Sequence, residues 1–169
     1  MQLSEQSVAA QNRLHALTST QASPAALRAD LKRFIASLSR RIDRIRAEAI
    51  ALIQSDPKIQ ERFSALISII GVAETSAVAL LSELMVLPAS LSARACVCHA
   101  GLDPRLFESG TSVHKAPRIS KHGNKYLRRA LYHPALAASV HDPLAKAFRE
   151  RLLARGKKKM QAIVAIMRK

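Results

Sequence analysis

The chain has 169 residues and a formal net charge of +15 at pH 7. That length is one domain, or one domain with an extension, and is long enough to bury a real core. No apolar run approaches the roughly 18–20 residues of a membrane span. Met1-Gln2-Leu3-Ser4-Glu5 has no apolar run behind it, as a signal peptide would. A membrane partner is therefore not expected, and the expected setting is the cytoplasm. Two cysteines in a Cys96-x-Cys98 arrangement are too close for an ordinary disulfide framework and fit a reducing compartment. His99 follows them, but zinc needs more ligands at workable spacing.

The charge is unevenly spread. Residues 1–100 carry 11 Lys/Arg against 8 Asp/Glu, whereas residues 101–169 carry 16 against 4. A field this concentrated favours a polyanion, nucleic acid above all.

The expected fold class is all-α: a long coiled-coil-like helix, then a multi-helix domain containing a helix-hairpin-helix. Residues 1–22 read as a tail or weak helix. Ser23-Pro24 signals a helix start, with Ser as N-cap and Pro at the first helical position. Leu27, Leu31, Phe34, Leu38, Ile42, Ile45, Ala49 and Leu52 then recur at steps of four, three, four, four, three, four and three. This near-heptad seam predicts a helical arm over 23–55 that pairs with another helix or with a second copy of the chain.

Asp56-Pro57 repeats the cap-and-proline signal and opens the remaining domain, 56–169. Ile59, Phe63, Leu66 and Ile67 form one apolar face, Ile69-Ile70-Gly71-Val72-Ala73 interrupts, and Thr75–Leu84 resumes. Over 56–86 this is the outline of a helix-hairpin-helix. In that motif glycine lets the backbone turn and the next helix offers free N–H groups to a DNA phosphate; Gly71 is the candidate contact. A purely structural helical hairpin fits the same pattern. Ser90 or Ser92 caps a short helix over 93–100. A loop is expected over 101–121, then a helix from His122 to Val140 with Leu127, Leu131, Leu136 and Val140 inward. Pro134 should kink or break that helix. Asp142-Pro143 starts a helix to Ala154, Gly156 ends it, and a last helix covers 160–168.

Ser109, in Glu-Ser-Gly-Thr-Ser, is the candidate nucleophile, with Ser112 as fallback. Gly110 allows the tight turn that would expose the hydroxyl, though a serine oxygen needs a base or metal to prepare it. Lys115, Arg118, Lys121, Lys125, Arg128 and Arg129 form a cationic row suited to phosphates, and Lys157, Lys158 and Lys159 form a second patch. The scattered acids do not resemble the convergent set that two-metal phosphoryl transfer requires, so no metal site is expected in this chain.

Several motifs in order carry a resemblance: Ile69-Ile70-Gly71-Val72, Ala100-Gly101-Leu102-Asp103-Pro104, Ser109-Gly110-Thr111, Arg118-Ile119-Ser120-Lys121-His122-Gly123-Asn124, Leu127-Arg128-Arg129 and Leu153-Ala154-Arg155-Gly156-Lys157. Together they resemble the C-terminal part of the Piv/MooV-type transposases and invertases, over about 56–169. The resemblance implies that a serine domain works with an N-terminal RuvC-like DEDD domain, and that the seam at 23–55 links the two. It implies that Ser109 attacks a DNA phosphodiester and is transiently joined to it. Mg²⁺ ligands would come from the acidic domain, leaving no cofactor in this chain. DNA is the implied partner, and structured RNA a further one. The N-terminal acidic domain is missing, so the expectation is a truncated chain that binds DNA and self-associates through 23–55 without cleaving strands alone. The alternatives are a non-enzymatic basic helical nucleic-acid binder and a coiled-coil assembly module with a merely solvated basic surface.

Overall fold

A computed structural model describes residues 2–19, 24–109 and 113–169, with side chains described at all of these except 106–109 and 113–117. Ser23, Gly110, Thr111 and Ser112 lie outside the described residues. The chain divides into two units, Met1–Asp56 and Pro57–Lys169.

In the first unit, α1 (Gln2–Thr18) packs against α2 (Ala25–Ser55). Leu3, Ser7, Ala10, Leu14 and Leu17 recur at steps of four and three and form the shielded stripe of α1. Residues 1–22 thus contribute a real helix that covers part of the long one. The shielded stripe of α2 runs through Leu31, Ile35, Leu38, Ile42, Ala49 and Ile53. Half of the expected seam therefore faces solvent: Leu27, Phe34, Ile45 and Leu52 are exposed, Leu52 to 71%. Pro24 occupies the N-cap position of α2 and gives it no side-chain bond.

The second unit is built from six helices and one hairpin among the described residues: α3 (Pro57–Ile67), α4 (Glu74–Leu84), α5 (Ala93–His99), β1 (Pro104–Ser109), β2 (Val113–Ile119), α6 (Lys125–His141), α7 (Pro143–Ala154) and α8 (Lys159–Met167). The fold is all-α apart from that antiparallel hairpin. The hairpin corrects the expected loop over 101–121. Its register pairs Pro104 with Ile119 and Ser109 with Val113, with an irregularity between Arg105 and Phe107. The alternation Leu106, Glu108 against Phe107, Ser109 is too short to stand out beside the helical periods around it. The core joins Leu80 of α4, Leu102, Leu127 and Ala135 of α6, and Ile163 and Ile166 of α8.

Three further corrections concern α6. It begins at Lys125 rather than at 122, because Asn124 caps it and Gly123 has φ +107°, outside any helix. It runs unbroken through Pro134, which is buried in the packed face. Beyond Pro134 the inward positions are Ala135, Ala138 and Ser139, while Leu136 and Val140 are exposed. Small residues face inward there because α3–α4 approaches closely: a Cβ on Gly71 would lie 2.6 Å from the Pro134 carbonyl oxygen and 2.8 Å from the Ala138 nitrogen. Among the described residues no helix is long and apolar enough to cross a membrane.

Candidate nucleic-acid interface

The segment 119–124 is held from three sides. Asn124 Oδ1 accepts from the backbone N–H groups of Tyr126 at 2.8 Å and Leu127 at 3.0 Å, capping α6. Its Nδ2 donates to Glu83 Oε2 of α4 at 2.6 Å, and its backbone N–H donates to the His99 carbonyl at 2.7 Å. Gly123 passes so close to the end of α5 that a Cβ would stand 2.2 Å from the His99 oxygen. Lys121 N–H donates to the Gly101 carbonyl at 3.0 Å, Ser120 N–H to the Asp103 carbonyl at 2.8 Å, and the Ser120 hydroxyl to the Asp103 carboxylate. These bonds close the base of the hairpin onto α5 and α6.

Two cations of this region have structural employment. Arg128 Nη1 donates to the Ala100 carbonyl at 2.7 Å, satisfying a free acceptor at the end of α5. Arg105 Nη1 lies 2.8 Å from His122 Nε2. A guanidinium can only donate, so in a hydrogen bond between the two that ring nitrogen is the acceptor.

Arg118, Lys121, Lys125, Arg129 and Lys157 of the expected cations line two clefts beside the hairpin base. One, of about 480 Å³, is bounded by Arg118 and Lys121 from the hairpin side and by Lys157 and Arg168 from the α7–α8 turn and α8. The second, also about 480 Å³, is bounded by Lys121, Lys125, Arg128, Arg129 and Tyr132. The clefts share Leu102, Ile119, Met160 and Val164 as their apolar floor, with Lys121 between them. The fold thus unites cations from around 120 with Lys157, far apart in sequence. Lys158 and Lys159 are exposed but line neither cleft, and the Lys158 N–H bonds Gln161 Oε1 at 2.9 Å as α8 begins.

Gly71 is remote from these clefts in its packing: its Cα faces Pro134 and Ala138 of α6. Ser109 ends β1; its side chain and that of Lys115 lie outside what the structure describes. At about 3.3 Å per strand residue, Ser109 stands roughly 16 Å along the hairpin from Pro104. Among the described residues no three His, Cys, Asp or Glu side chains gather to hold a metal ion; Cys96 and Cys98 are free thiols.

Sequence reasoning missed Met160, Arg168, Tyr132 and the positioning role of Asn124. Part of the signal was present: Met160 and Val164 of α8 and Arg168 at its C-cap fall at steps of four, the spacing of one helical face.

Residues 63–150 match the family described as Transposase IS116/IS110/IS902 family. The pilin gene-inverting protein of Moraxella bovis is 38% identical over 119 residues, 70% of this chain and 37% of that protein. Its namesake from Moraxella lacunata matches at the same identity over the same length. The Insertion element IS110 uncharacterized 43.6 kDa protein of Streptomyces coelicolor is 40% identical over 72 residues, 41% of this chain and 17% of that protein. The chain therefore spans little more than a third of the length of the gene-inverting proteins it matches. With the match covering more than half of its residues, this chain belongs to the IS116/IS110/IS902 transposase family.

Proposed function

We propose that this chain is the DNA-gripping, serine-bearing portion of a recombinase that moves or inverts DNA segments. The observation that carries the reading is the convergence of Arg118, Lys121, Lys125, Lys157 and Arg168 around the base of the hairpin whose first strand ends in Ser109. Family membership and the relatives' gene-inverting name point the same way. Phosphates seated on those cations would place a backbone along the hairpin without reading its sequence. Gly71 and Lys115 are further candidate phosphate contacts, as are Lys158 and Lys159.

In this reading the Ser109 oxygen, with Ser112 as fallback, forms a bond to a phosphorus atom. A deoxyribose oxygen leaves and takes up a proton, and the reverse attack rejoins the strand. Mg²⁺ would be held by the acidic domain that the resemblance implies, which would supply the Lewis-acid chemistry for the step. Leu27, Phe34, Ile45 and Leu52 are spaced at seven and eleven residues and keep one exposed apolar stripe on α2, which supports pairing of two copies through 23–55.

Titrating fluorescent duplex DNA with the chain across salt concentrations tests the binding. Binding that weakens linearly in log–log form, with a slope near −0.9 per phosphate engaged, is expected. Binding insensitive to salt, or absent in low salt, would end the proposal. Ser109→Ala in a full-length relative should abolish recombination and spare binding; retained recombination would remove Ser109 from the chemistry.

A further inference from the structure

We propose that the paired clefts at the hairpin base receive an unstacked nucleobase, so that this face grips a single-stranded or extruded nucleotide rather than duplex backbone alone. This rests on the nucleic-acid reading above and deepens it.

The first argument is the floor. Phosphates need cations and N–H groups, and an apolar surface offers them nothing. Yet the cations here surround Ile119, Val164 and Met160, lying over the buried Leu102, and Met160 is 55% exposed. A thioether on an unbranched, flexible side chain adapts to a flat aromatic ligand. Tyr132 and His133 border the second cleft, their rings edge to face at 5.3 Å. A base has a π-face of either identity to lay on such a surface, and its phosphates then lie within reach of the rim. Each cleft, at about 480 Å³, is large enough for a small planar ligand.

The second argument is Lys121. It has φ +55° and is the non-glycine residue with positive φ among the described residues; Gly71, Gly101, Gly123 and Gly156 fill the other such positions. A side chain in that conformation costs about 1 kcal/mol or more, which glycine would avoid. The backbone bond to Gly101 sets the conformation, and the side chain it aims stands where the two clefts meet. Strain retained at such a point indicates use of the side chain. Lys121 has no carboxylate partner among the described residues, leaving its ammonium for a phosphate beside the base.

The test compares three fluorescent 12-nucleotide probes at fixed salt: a mixed-sequence single strand, the same strand with every base removed, and the duplex. Base stacking should make the base-bearing strand bind roughly tenfold tighter than the abasic one. Met160→Ala, at an exposed position, should erase most of that difference and leave abasic binding unchanged. Lys121→Gly keeps the backbone conformation and should weaken both single strands. Equal affinity for base-bearing and abasic strands, with normal salt dependence, overturns the base cleft while the polyanion reading stands. So does a duplex that binds tighter than either strand with Met160→Ala neutral. Absence of salt-dependent binding to all three probes defeats the proposed function itself.

Discussion

Asn124 is where the interface is most exposed to a single substitution. Its carbonyl oxygen caps α6 and its amide nitrogen donates to the half-buried Glu83 carboxylate at 2.6 Å. Asn124→Ala removes both. Loss of the cap costs about 1 kcal/mol. Leaving Glu83 short of a donor adds about 1–3 kcal/mol, for a total of roughly 2–4 kcal/mol. Asn124→Asp separates the two effects. Aspartate caps as well as asparagine, but it sets one carboxylate against another. Even relaxed to 4 Å, two such charges at the protein surface repel by about 4 kcal/mol. Asn124→Asp should thus be as damaging as Asn124→Ala, although by capping preference alone it is harmless. Glu83→Gln, whose amide oxygen still accepts from Asn124, should cost about 1 kcal/mol. Combined with Asn124→Asp it should restore stability, because glutamine can donate to the new carboxylate. Urea unfolding followed by tyrosine emission suits the question: the chain has two tyrosines and no tryptophan, and Tyr126 and Tyr132 both lie on α6. The signal reports the Pro57–Lys169 unit by itself. A stable Asn124→Asp variant, or a double variant no better than the single, would refute the reasoning.

Gly123→Ala should destabilise the same unit by roughly 3 kcal/mol, since the new methyl meets a backbone oxygen and φ is positive. Gly156→Ala, with φ +76° and nothing within 4 Å, should cost only about 1 kcal/mol, and the reverse ordering in urea titrations would contradict the geometry. Replacing exposed Lys157 and Lys159 together with Ala should flatten the salt slope of DNA binding by about 0.9 for each phosphate no longer neutralised. The unfolding free energy of that variant should stay within about 0.5 kcal/mol of the parent's. Leu38→Ala, at a position 2% exposed, should loosen the α1–α2 pair by about 3 kcal/mol. Leu52→Ala should leave that pair intact and lower self-association in sedimentation; an unchanged association constant would argue against pairing through the exposed stripe.

The helices were legible because their boundaries carry chemistry. Asp142-Pro143 and Asp56-Pro57 mark the starts of α7 and α3, and Gly156 follows the end of α7. The α2 seam was misread for a physical reason. Its apolar residues cover more than one stripe, and the shielded stripe includes Ile35 and Ile53, outside the three-and-four series drawn through Leu27 and Phe34. The hairpin was missed because a strand pair of this size carries little periodic signal. At the site, charge density located the cations but not their employment. Nothing local to Arg128 says that it bonds Ala100, 28 residues away, while Lys121 faces a cleft. Those roles are decided by non-local approach, which charge and spacing do not encode.

That division of labour bears on how a strongly basic unit keeps its field. The ion pairs Arg33–Asp30, Arg44–Glu48 and Arg46–Asp43 all lie on α2, where opposite charges cancel along the helix surface. In the second unit, several charged groups among the described residues bond neutral ones. Arg128 donates to a backbone carbonyl and Arg149 leans on the Ser139 hydroxyl at 3.4 Å. The acids behave alike: Glu83 accepts from an asparagine amide, Asp103 from a serine, and Asp142 from the backbone at the start of α7. Each bond meets the geometric need of a polar group without neutralising a cation. Pairing those acids with arginines would have held the same loops in place while reducing the field. Bonding Glu83, Asp103 and Asp142 to neutral partners instead keeps those three acids from cancelling the field around Lys121 and Lys157, which is the arrangement a polyanion-binding surface requires.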